Sequence, residues 1–304
     1  MATLKELKVR ISGIKSTQKI TKAMKMVSSA KMKRAQDKII AARPFAYKIN
    51  KMLNELILNA ETGSIDDLLN VREVKTKCVV IVSSDKGLAG SFNTNIIRYS
   101  SNYLAKLDPE TKIITVGKKA TDFFKKKKVR LINSYPGVFN DLTIDISNEI
   151  VNYIVESYKK KEFDSVEIIY NEFKSVVKQL TVKEQFLPLT GEEVKDGKNK
   201  STDLKNENTD EKKKAVKTDY IYEPSLIEII KELIPKQLKV QFWKILLESN
   251  AAEQAARLTA METATKNAQD LLKILEVSYN QARQAAITKE ILEIVGGAEA
   301  LKES

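Results

Sequence analysis

Leu247, Ala251, Gln254, Leu258, Met261, Thr265, Ala268, Leu272, Leu275, Tyr279, Ala282 and Ala286 recur at alternating steps of four and three. That spacing keeps one stripe on one side of an α-helix and is the repeat of a coiled-coil seam. No Gly or Pro occurs between Lys236 and Val295, so nothing in that span argues against a single helix of roughly 90 Å at about 1.5 Å per residue. Pro224 followed by Ser225 reads as its start, Pro235 is expected to kink its first turns, and Gly296-Gly297 to end it. Half of the seam is small or polar, which lets a second helix approach closely but limits the apolar area buried.

A helix of that length needs a partner along its side, because propensity alone stabilises it weakly. The candidate is the N-terminal stretch, helical in pattern from Ala2 to about Ala60 and broken only by Gly13 before Pro44. Leu4, Leu7, Ile11 and Ile14 share a phase that returns at Met32, Ala35 and Ile39, with Gln18, Thr21, Lys25 and Ser28 between them. A neighbouring stripe, Ile20, Met24 and Val27, is expected partly to take over in this polar middle. Pro44 is expected to interrupt and bend the helix. The intervening chain must return toward its own start, so the two helices are predicted to pack antiparallel. The longer C-terminal helix would then overhang, carrying Ile287, Ile291, Ile294 and Val295 on an apolar tip.

Between the helices the period changes. Cys78–Ser83, Lys112–Gly117, Val129–Ile132, Ser165–Tyr170 and Val177–Leu187 read as strands. They alternate with helices over Phe92–Leu107, Lys118–Lys127 and Asp141–Lys160. The expected fold class is therefore α/β plus a long antiparallel coiled coil, in which the terminal helices pair and a central Rossmann-like α/β domain sits between them. The expected division is residues 1–60, N-terminal coiled-coil helix; 75–190, α/β domain; 191–218, a charged mobile loop; and 225–304, C-terminal coiled-coil helix. Phe242 and Trp243 are expected to pack at the base of the last helix.

Composition narrows the chemistry. The 304 residues contain no His and a single Cys, Cys78, which removes the commonest general base and transition-metal ligand and any internal disulfide. No apolar run approaches the ~20 residues that span a bilayer, and the N-terminus has no signal-like core, so an intracellular protein is expected. Net charge is +12, and up to Asn59 fourteen basic residues face three acidic ones. Nearly all the surplus therefore lies on the first helix. It reads either as a solvated face or as a surface for an acidic partner, protein or nucleic acid.

The turn Ser83-Ser-Asp-Lys-Gly-Leu-Ala-Gly90 joins a strand to a helix, where phosphates often bind. It matches neither the P-loop nor the dinucleotide fingerprint, and glycine used for close packing is the preferred reading. The Lys118, Lys119 and Lys125–Lys128 patch lacks the interleaved aromatics of a nucleic-acid surface. No cofactor or metal is expected. Two rivals were a basic coiled-coil nucleic-acid-binding protein and an enzyme using the Gly87–Gly90 turn for a nucleotide.

Three stretches carry a family resemblance. Gly13–Met32 resembles the N-terminal signature of the gamma subunit of F-type ATP synthase, Val80–Gly90 its first strand and turn, and Glu253–Met261 with Tyr279–Glu290 its C-terminal helix. The resemblance runs end to end in the right order. It implies a non-catalytic central rotor stalk. The terminal helices form a shaft inside a hexamer of alpha and beta subunits, and the α/β domain a foot on the epsilon subunit and membrane c-ring. It further implies a peripheral membrane protein on the cytoplasmic side of a bacterial membrane, with no small-molecule substrate and no nucleic acid. Met24, Lys25, Gln254, Arg257, Arg283, Gln284, Thr288 and Glu290 match positions facing the alpha and beta subunits. Tyr220, Tyr222 and Glu223 match the motif near epsilon and the ring. Lysine stands at position 25, where many members carry an acid, and the Gly191–Lys217 loop is longer than in many bacterial members.

Overall fold

The computed structural model describes residues 3–59, 68–69, 72–189 and 223–302. Gly191–Lys217, Tyr220 and Tyr222, singled out above, lie outside them. The elements are α1 (Leu4–Asn59), β1 (Lys77–Val82), α2 (Phe92–Leu104), β2 (Lys112–Val116), α3 (Lys118–Phe124), β3 (Arg130–Tyr135), α4 (Ile144–Lys159), β4 (Ser165–Phe173), β5 (Gln179–Leu187) and α5 (Leu226–Lys302).

The strands form one five-stranded sheet in the order β3-β2-β1-β4-β5, with β5 alone antiparallel. The central strands are apolar without alternation because both faces are covered. Val80, Val82, Ile114, Ile168 and Tyr170 face a core built with α4, α5 and the end of α1. Val79, Ile81, Ile113 and Ile169 face α2 and α3. The edge strand β3 begins a residue later and continues three residues further than its apolar run, through Asn133 and Ser134. Backbone pairing with β2 carries it on, across an irregularity at Ile113/Ile114.

Both terminal helices run on past expected breaks. α1 is continuous through Pro44, which lies on the exposed side, where water can satisfy the carbonyl that a proline leaves unpaired. α5 is continuous through Pro235, and it does not end at Gly296-Gly297 but extends to Lys302, 77 residues in all and about 115 Å. Glycine stops a helix by taking a left-handed conformation; Gly296 is not in it, and in a right-handed turn glycine costs only about 1 kcal/mol. At the other end Ser225 Oγ accepts from the Glu228 amide at 3.3 Å, starting the helix as expected.

Candidate functional site

α1 and α5 are antiparallel. Lys15 pairs with Glu276 at 3.0 Å and Lys25 with Glu262 at 2.5 Å, Thr265 donates to Thr21 Oγ1 at 2.8 Å, and Ala35 and Ile39 pack on Leu247 and Ala251. Rising positions on one helix meet falling positions on the other. Every seam position quoted for α5 is buried or half-buried, and the same holds for the α1 phase from Leu4 to Ile39. The neighbouring α1 stripe does not take over: Ile20 and Val27 are more than half exposed, with Met24 half-buried. Close approach at Thr21, Ser28 and Thr265 lets small polar residues complete the seam, so no shift of phase is needed.

Beyond about residue 285 α5 has passed the start of α1. Ile287, Ile291, Ile294 and Val295 are all about half exposed or more, forming the expected overhanging apolar tip. Lower on the shaft an open groove of about 1410 Å³ lies between the helices, with Lys22, Lys33 and Lys266 beside Met26 and Ile40.

At its base α5 enters the foot. Ile230, Ile234, Leu238, Phe242, Ile245 and Leu246 are buried in the main core, where Phe242 meets the Phe186 ring at 5.9 Å. Trp243 faces the other way, against the start of the shaft at Ala35, Ile39 and Leu247. Higher up, the Ser83–Gly90 turn closes on α5. Gly90 adopts φ +55, and a Cβ there would stand 3.6 Å from Ala260 Cβ, so the turn lies in contact with the helix. Gly117 is more demanding: φ is +93 and a Cβ would sit 2.2 Å from the Ser83 carbonyl oxygen.

The turn also binds the neighbouring helix: the first three amides of α3 donate to Asp85 Oδ1 at 2.7 Å, the Ser84 carbonyl at 3.0 Å and Ser83 Oγ at 2.8 Å. Asp85 also accepts from the Gly137 and Phe139 amides, each at 2.7 Å. One carboxylate thus ties three loops at the C-terminal edge of the sheet, where doubly wound folds bind their ligands. The close-packing reading of this turn fits that geometry. Burial pushes the Cys78 thiol up, which keeps it protonated and unreactive. Among the described residues no group of three or more His, Cys, Asp or Glu could hold a metal. Among them no helix is long and apolar enough to cross a membrane.

The residues singled out by resemblance fall into separate places. Arg283, Gln284, Thr288 and Glu290 are exposed on upper α5, Met24 is half-buried beside the seam, and Glu223 is exposed at the base. Lys25 is turned to Glu262 across the seam, and Gln254 is buried on it. Arg257 is also buried. It pairs with Glu253 at 2.7 Å and donates from Nη2 to the Gly87 and Lys86 carbonyls at 3.1 and 3.4 Å. Burial raises the Glu253 carboxyl, against the opposing pull of the Arg257 charge. Asp85 and Glu253 escaped the sequence reading as functional positions. Only the four-residue step from Glu253 to Arg257 hinted at the pair.

The geometry defines a class: a structural subunit with a long, half-wrapped shaft rising from an α/β foot, built to be surrounded by other chains. Known proteins agree. The ATP synthase family model matches residues 3–301. The chain is 47% identical to the ATP synthase gamma chain of Chloroherpeton thalassium over the whole of both chains. It is 46% identical to that of Cytophaga hutchinsonii over 99% of each. A chain of the Euglena gracilis mitochondrial ATP synthase, solved with OSCP, F1 and the c-ring, shares the fold. Its TM-score is 0.67 at 22% identity, covering 98% of this chain and 94% of that one. A chain of the Tetrahymena thermophila central stalk and c-ring gives 0.57 at 23% identity, covering 81% and 99%. This chain belongs to the ATP synthase gamma-chain family. The relatives lend no support to the nucleic-acid reading.

Proposed function

We propose that the chain is the central rotor stalk of an F-type ATP synthase, a non-catalytic subunit that couples rotation of a membrane ring to the nucleotide sites of its neighbours. The observation that carries this is the antiparallel helix pair whose longer member projects alone with an exposed apolar end, in a chain about 46% identical to gamma chains throughout. A shaft turning inside a ring of subunits needs stiffness along its length and a surface that makes many weak contacts. Two long helices supply the first. A basic, mostly exposed face supplies the second, each exposed charge contributing about 0–1 kcal/mol.

In this reading residues 1–60 and 225–304 make the shaft and 75–190 the foot. Alpha and beta subunits surround the shaft; epsilon and the c-ring meet the foot. The exposed Arg283, Gln284, Thr288 and Glu290, with Met24, contact alpha and beta directly. Lys25 acts from the seam's rim, and the buried Gln254 and Arg257 act on that surface indirectly, Gln254 within the seam and Arg257 through the Ser83–Gly90 turn. Tyr220, Tyr222 and Glu223 meet epsilon and the ring. The subunit is peripheral to the membrane complex, on the cytoplasmic side of a bacterial membrane.

The test is co-purification from native membranes with an affinity tag on this chain. Alpha and beta subunits are expected in a fixed ratio to it, and a crosslink from Arg283→Cys to either should stop ATP hydrolysis reversibly. A preparation without them, or an unhindered crosslinked complex, contradicts the reading.

A further inference from the structure

We propose that Arg257, held by Glu253, is a positioning residue that fixes the angle of the foot on the shaft. The inference deepens the rotor reading and takes its functional meaning from it.

Two attachments join α5 to the foot. The lower one, centred near Leu238, is mainly apolar packing against the sheet and α4, with one side-chain bond from Gln241 Nε2 to Glu184 Oε1 on β5 at 2.7 Å. Apolar contact secures burial without direction, and one bond between two long side chains leaves room for small rotations about the helix axis. The upper one lies around residues 253–260, roughly 28 Å further along the helix. There the Ser83–Gly90 turn presses on Ala260, and the tip of the β4–β5 hairpin accepts from Thr259 through the Val176 carbonyl at 3.4 Å.

The directional bonds of this upper attachment centre on Arg257. Nη2 of its guanidinium meets a carboxylate of its own helix and two carbonyls of the turn, and the rigid planar group holds that nitrogen's two hydrogens in set directions. The turn cannot yield, because Asp85 binds it to the amides of Lys118, Gly137 and Phe139. A continuous polar chain therefore runs from α5 to three loops on the sheet's C-terminal edge. Both charges of the pair are at least nine-tenths buried. Buried pairs add little net stability over apolar residues of similar size, so orientation, not stability, is the property that this one controls.

The experiment uses spin labels on the full-length chain. One pair, Lys126→Cys and Lys273→Cys, spans foot and shaft; a second, Arg10→Cys and Lys273→Cys, lies within the shaft. The variants are the double change Arg257→Met with Glu253→Gln, and Arg257→Lys, which keeps the charge but loses the rigid planar group. The foot-to-shaft distance distribution is expected to broaden in both variants, less with lysine, while the within-shaft distribution stays as in the parent. In the reconstituted complex, ions pumped per ATP hydrolysed should fall in the same order. An unchanged foot-to-shaft width, or equal broadening of both label pairs, overturns the proposal. If the double variant does not fold, the Arg257→Lys chain decides by the same criteria. Failure of the parent chain to assemble with alpha and beta would count against the rotor reading alone, since the label widths are read on the chain itself.

Discussion

The lower and upper thirds of α5 are one helix held in two ways. From Ile230 to Leu246 it is embedded, with apolar residues buried against the sheet, α4 and α1. From Leu258 to Ala286 only one narrow stripe is covered, and Leu271, Ile274 and Val277 on its far side are exposed. The lower third is held by area removed from water, about 25 cal/mol per Å². The upper third relies on close approach of small residues, a few cross-seam bonds and subunits outside this chain. The foot is expected to be stable on its own, and the shaft to be the part that loosens in the isolated protein.

The largest expected effect tests the lower region. Phe242→Ala removes a fully buried ring and should cost about 3–5 kcal/mol in denaturant unfolding. Leu272→Ala, on the thin seam, should fall at the bottom of the ~2–5 kcal/mol range for such truncations. Equal costs would erase the contrast. Gly117→Ala comes next: a left-handed conformation and a Cβ overlapping the Ser83 carbonyl should cost at least about 2 kcal/mol, read as a lower melting temperature. A near-neutral result would mean that the turn can shift.

A third prediction concerns pH. Burial lifts the Glu248 carboxyl above its usual range; Lys244 opposes this, and Glu172 and Glu184 add to it. The folded chain therefore holds that proton more tightly than the unfolded one. Stability is full below the ordinary carboxylate value and falls as pH rises through the raised one. Glu248→Gln should raise the melting temperature at neutral pH, with the gain vanishing toward acid; a pH-independent gain would assign it to packing instead. A smaller effect tests the upper seam. Thr21→Val with Thr265→Val replaces a cross-seam hydrogen bond by apolar contact of similar shape and should stay within about 1 kcal/mol of neutral. A larger loss would show that the bond, not close approach, holds the waist. The smallest effects belong to the exposed face: alanine singly at Lys31, Lys33 or Arg34 should barely change ATP hydrolysis by the complex, and abolition by any one would end the distributed picture.

Much of this was legible in the order of residues. The α5 seam from Leu247 to Ala286 appears in the structure at the same positions, because a 3.5-residue repeat states which side of a helix is covered. The strands around Val79–Val82 and Ile113–Val116 were equally plain, being apolar on both faces. Less legible was the fate of Ile20 and Val27. They are apolar but face outward, and only the distance between the helices at Thr21 and Ser28 decides that polar residues fill the seam. The Gly296-Gly297 stop failed for a related reason: glycine permits a left-handed exit without requiring one.

By itself, then, the sequence determined two long helices, their pairing, the polarity of their seam and the α/β unit between them, since periodicity is a local property that survives without coordinates. Tertiary structure alone decided where the foot grips the shaft. Asp85 and Arg257 are 172 positions apart in order, with no shared spacing or motif. They join in one polar chain because the sheet brings the Ser83–Gly90 turn to the side of α5. A carboxylate that caps three loops and an arginine turned inward are consequences of that meeting, and neither residue type announces it.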